Sequence, residues 1–136
     1  MPCHHAYVVV SGAIAASAGA NRLAFGYAQY QADWPEQTPV ALQSLSKVLA
    51  RHGIALELPV HDISSREHAI RELEALGLSS ASLEQKCLQQ VTNVRLDDDL
   101  LSQQVHLWEQ AIDGSMKRLD EISIEVLEDT VLGNLA

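Results

Sequence analysis

The sequence predicts an α+β fold, a small and mostly antiparallel sheet covered by about four helices, with an all-α arrangement as the alternative. Three observations carry this expectation. Apolar residues alternate with small or polar ones around 22–31 and 54–60, the period of a half-buried strand. They recur at three-and-four spacing in several longer stretches, the period of a helix face. With 47% hydrophobic residues in 136, the chain can bury one core. No repeat or linker divides it, so residues 1–136 are expected to form a single globular domain.

The N-terminal element rests on the sixteen uncharged residues from Ala6 to Asn21. Tyr7-Val8-Val9-Val10 suits a strand, and Leu23, Phe25 and Tyr27 alternate with Ala24, Gly26 and Ala28. Turn residues fill Ser17 to Arg22. A β-hairpin with strands near 6–16 and 22–31 follows. The rival is a helix with a small-residue face, since Gly12, Gly19 and Gly26 recur every seven residues. Three glycines would cost such a helix ~3 kcal/mol relative to alanine, which favours the hairpin. No Lys or Arg precedes the uncharged run, and it is shorter than the ~20 residues of a membrane span. A cytoplasmic protein without membrane contact is expected.

After Pro35 the punctuation is clearer. Thr38 is a good N-cap, Pro39 fits the first helical position, and Gly53 closes a helix with Leu42, Leu45 and Leu49 on one face. Ile54, Leu56, Leu58 and Val60 then alternate in a strand over 54–60, where Pro59 belongs at an edge or end. Ser64-Ser65-Arg66-Glu67 reads as a capping box for a helix burying Ile70, Leu73 and Leu76, with Gly77 beyond its end. A further helix from about Ser82 would align Leu83, Cys87, Val91 and Val94. Asp97-Asp98-Asp99 opens the longest pattern: Leu101, Val105, Trp108, Ile112, Leu119, Ile122 and Val126 predict a helix reaching about Leu127. A strand at 122–126 competes with its last turn, because apolar and polar residues alternate there too.

Charge points to function more than any motif does. Residues 1–96 hold eight acids and seven bases, whereas 97–136 hold ten acids and two bases, within a net charge of −9. This balance argues against nucleic-acid binding and against docking on anionic lipid, both of which need clustered cations. An acidic C-terminal helical region, about 97–132, is therefore expected. It is either a solvated face that keeps the chain soluble or a surface for a basic protein partner. On the second reading Trp108, Glu109, Asp113, Glu121, Glu125 and Glu128 make the contact, and the protein is a non-catalytic adaptor, inhibitor, immunity-type factor or assembly chaperone. The heptad-like run from Leu101 to Val126 also fits a homodimer.

Catalytic signals are sparse. No phosphate-binding glycine loop, zinc-protease motif, nucleophile elbow or paired-cysteine motif occurs, so no cofactor and no metal are expected. The enzymatic alternative places His61 and Asp62 together as an acid–base pair at a strand end. A structural subunit of a homo-oligomer is the third possibility.

Overall fold

A computed structural model describes residues 2–80 and 96–125. The uncharged N-terminal stretch forms a helix, α1 (Pro2–Ser17), and not the first strand of a hairpin. A β-branched residue gives up roughly half a kcal/mol in a helix. Burial outweighs that, since Val8 is fully buried and Val9 nearly so. Gly19 takes φ +66°, and its N–H donates to the Ala16 carbonyl at 3.1 Å while Ala20 N–H donates to Ala15 at 2.8 Å. These two bonds and the left-handed glycine are a helix stop, so the residues read as a hairpin turn end a helix instead. Gly12 lies on the packed face, where a Cβ would stand 2.8 Å from both Sδ and Cε of Met116. The bare glycine lets that methionine lie directly on the α1 backbone.

Two single 3₁₀ turns (Gln29–Gln31 and Pro35–Gln37) separate β1 (Arg22–Ala24) from α2 (Pro39–Arg51). Thr38 caps α2 by accepting from Ala41 N–H at 3.3 Å, and Ala41, Leu42, Leu45, Val48 and Leu49 are buried along one side. Both features follow the sequence pattern. Gly53 leads directly into β2 (Ala55–Glu57).

The sheet is parallel, which corrects the antiparallel expectation. β1 pairs with β2 in the register Arg22↔Ala55, Leu23↔Leu56 and Ala24↔Glu57. Ala55 N–H donates to Asn21 at 2.8 Å and Phe25 N–H to Glu57 at 3.0 Å, extending the ladder at both ends. With 6–16 helical, β1 has no preceding strand beside it. Its neighbour is reached only after the α2 crossover, and two paired strands joined by such a helix run the same way. β2 stops at Glu57, before Pro59, which has no N–H to offer a ladder.

α3 (Arg66–Ala75) begins one residue later than the capping pattern suggested, because Ser65 rather than Ser64 accepts from His68 N–H, at 3.0 Å. None of its residues is buried; Ile70 and Leu73 are half-covered and Leu76 is exposed. The helix expected from about Ser82 lies outside the described residues. α4 (Asp98–Met116) is capped by Asp97, which accepts from Leu100 N–H at 2.8 Å. It runs through Gly114 and ends at Met116, short of the expected Leu127. A 3₁₀ turn at Leu119–Glu121 follows, and residues 122–125 are neither helix nor strand. Ile122 and Ile124 are 44% and 41% exposed there, so burial among the described residues does little to hold further turns in place.

Val8, Phe25, Val48 and Leu49 form the centre of the core, ringed by Tyr27, Leu42, Leu45, Ile54, Val105, Trp108, Ile112 and Met116. α4 packs against both α1 and α2, while α1 adjoins β1 and α2 adjoins β2. Among the described residues, no helix is long and apolar enough to cross a membrane.

Candidate interaction surface

The carboxylates at the centre of α4 face another helix of the same chain. Glu109 and Asp113 are one turn apart, and the last turn of α2 presents Arg51 and the following His52 to them. Arg51 forms a close ion pair with Glu109, whose second oxygen accepts from Ser44 Oγ at 3.0 Å. Asp113 lies 3.1 Å from His52 Nε2 and 3.6 Å from the Arg51 guanidinium, and Lys117 reaches its other oxygen at 2.7 Å. The Arg51 bond, assisted by Ser44, holds the Glu109 carboxyl below the usual range. Lys117 and then His52 do the same for Asp113. These two acids clasp α2 to α4.

The other residues singled out in the sequence are dispersed. Trp108 is buried in the core beside them, with its ring 5.7 Å from His4. Glu121 pairs with Arg118 through contacts of 2.5 and 2.9 Å, which lowers its pKa. Glu125 is exposed. Glu128 lies outside the described residues. His61 and Asp62 are both exposed in the turn after β2, where His61 N–H donates to the Leu58 carbonyl at 3.2 Å. They line neither the small hollow between α1, α2 and α4 nor the open one beside the strands. No group of three or more metal-ligating side chains occurs among the described residues.

One buried polar contact was missed in the sequence. His4 sits over a hollow of about 10 Å³ lined with Ser44, Val105, Trp108 and Glu109, room for one water molecule. Its Nδ1 meets the Tyr27 hydroxyl at 3.3 Å. Burial pushes the His4 imidazole down to about 4 and the Tyr27 phenol up. The neutral ring thus bonds α1 to the segment after β1. His5 adds a second polar link, 3.0 Å from Ser115 of α4.

The outer side of α1 carries a stripe of apolar side chains, of which Tyr7 also meets the Phe25 ring at 5.1 Å. Tyr7, Val10 and Ile14 are 52%, 55% and 51% exposed. They follow each other at spacings of three and four, the periodicity of a helix-pairing seam. Ala6 and Ser17 flank them, and no charged side chain occurs from Pro2 to Ser17. A helix that is apolar on its buried and its outer sides alike is normally covered on both. No protein-family model, curated protein or solved structure matches this chain.

The surfaces therefore differ in what they offer. Glu109 and Asp113 of α4 already have cationic neighbours, and the hollow at His4 is too small for a substrate. The α1 seam offers desolvation energy to whatever covers it, at about 25 cal/mol for each Å² of apolar surface removed from water.

Proposed function

We propose that the chain is a non-catalytic protein-binding module, an adaptor, inhibitor or assembly factor, which makes its contact through the outer face of α1. The exposed, uncharged stripe of Tyr7, Val10 and Ile14 carries this reading. His61 and Asp62 are exposed and line neither of the two hollows among the described residues, which favours the non-catalytic reading. A cytoplasmic setting fits a chain with only two cysteines, too few for a disulfide scaffold.

The acidic face remains as a second reading, for a basic partner. It is supported by the exposed Asp98, Asp99, Asp120 and Glu125 on α4 and just beyond it. Affinity capture from host extract separates the two. Capture through α1 persists at high salt, persists in Glu121→Gln/Glu125→Gln/Glu128→Gln, and is lost in Ile14→Glu. Loss at high salt and in the triple variant, with Ile14→Glu unaffected, overturns the α1 reading in favour of the acidic one.

A further inference from the structure

Two histidines tie down the first turn of α1, each to a different element. His4 meets the Tyr27 hydroxyl at 3.3 Å through Nδ1 and lies 5.7 Å from the Trp108 ring, while His5 Nε2 stands 3.0 Å from Ser115 of α4. Apolar burial begins only beyond them. His4 and His5 are half-buried, Ala6 and Tyr7 are exposed, and Val8 is the first buried residue among those described. The N–H groups of a first turn have no partner within the helix, so this turn can leave α4 without breaking the ladder behind it. We propose that it is an acid-released latch: a neutral His4 holds it closed over Trp108, and a protonated His4 lifts it away while Val8 and the helix beyond stay packed. The device uses the inner side of α1 and is independent of what the outer face meets.

The surroundings of the ring set the direction. A cation there sits at the positive end of the α1 dipole. Tyr27 is a neutral phenol whose ionisation is opposed by burial, then by Tyr7 and Glu36. From α4, Glu109 lines the same hollow, but its oxygens are taken by Arg51 and Ser44. α2 contributes Ser44 there, which is uncharged. Burial, followed by repulsion from the α-amino group and His5, lowers the imidazole from 6.5 to about 4. Release returns the ring to water and also hydrates the Trp108 Nε1–H, which is buried without a hydrogen-bond partner among the described residues. The open form therefore binds the proton first. Opening is rare above pH 6.5 and grows by about 100-fold between pH 7 and pH 4.

Native-state hydrogen exchange, followed by NMR on the whole chain, tests the latch. Corrected for the intrinsic chemistry of exchange, the Trp108 indole N–H is expected to exchange about 100-fold faster at pH 4 than at pH 7. It should exchange ahead of the amides of the fully buried Val48 and Leu49, and respond little to low urea, because a small opening exposes little surface. His4→Phe puts a ring that does not titrate in the same place and should abolish the acceleration. A Trp108 indole that shares the rate and urea dependence of the Val48 and Leu49 amides overturns the proposal, since His4 then takes its proton only on global unfolding. So does an equal acceleration in His4→Phe, or none in the wild-type chain. If His4→Phe fails to fold, the wild-type comparison of Trp108 with Val48 and Leu49 decides alone.

Discussion

Arg51, at the C-terminal end of α2, holds Glu109 in the middle of α4, and the same guanidinium lies 3.6 Å from Asp113. One cation thus ties two carboxylates that a sequence reading assigns to the outside world. They tie two core helices together, and removing them should loosen the fold rather than a complex. The double variant Glu109→Gln/Asp113→Asn is expected to lower Tm by about 2–5 °C, with association through α1 preserved below the new transition. A thermal scan paired with affinity capture from host extract reads both quantities. An unchanged Tm together with lost association would reverse the assignment.

The contact between Gly12 and Met116 makes a second expectation. Gly12→Ala gains about 1 kcal/mol of helix propensity and must displace only the flexible end of the methionine, so its net effect stays within about 1 kcal/mol. Gly12→Leu cannot be absorbed that way and should destabilise by more than about 2 kcal/mol. Adding Met116→Ala should recover part of the loss, a coupling that denaturant titration of the four chains would measure. Additive losses would mean that the two residues do not touch.

The His4 imidazole gives the fold a pH dependence with a definite sign. Its folded-state pKa is near 4, against 6.5 when free. The unfolded chain therefore takes up the proton first. Stability is fully present above 6.5, falls as pH drops toward 4, and loses no more than about 3 kcal/mol in that window. Glu109 and Asp113, with lowered pKa values, add their own losses only at the acid end of the window and below it. Chemical denaturation between pH 7 and pH 4.5 should show a positive slope of stability with pH that is reduced in His4→Phe. An identical slope in that variant would assign the titration elsewhere.

His61→Ala and Asp62→Asn should each leave stability within about 0.5 kcal/mol of wild type, because both side chains are exposed. Neither should alter association. Loss of any ligand-dependent stabilisation in His61→Ala would instead restore the enzymatic reading.

The sequence was most legible where structure is set by local chemistry. Thr38, Pro39 and Gly53 bound α2 through capping and backbone preferences that need no distant partner, and Asp97 does the same for the start of α4. α1 was illegible for the opposite reason. Apolar residues lie on its outer as well as its inner face, so no polar side contrasts with the buried one, and the seven-residue spacing of Gly12, Gly19 and Gly26 is the one helical sign, outweighed by the helix cost of glycine. Its valines were then judged by a strand preference that burial of Val8 and Val9 overrides. The parallel pairing depends on a helix crossing between strands, which alternation within either strand does not encode. Spacing put Glu109 and Asp113 on one side of α4, but only the packing of α2 against it revealed that Arg51 and His52 stand opposite.

The account turns on the outer face of α1, and methyl-resolved NMR during titration with the protein captured from host extract examines that face residue by residue. The Val10 and Ile14 methyl signals should shift as that protein is added, while those of Ile112, buried in the core, stay fixed. Val10 and Ile14 signals that hold still across the whole titration would contradict a protein contact through α1.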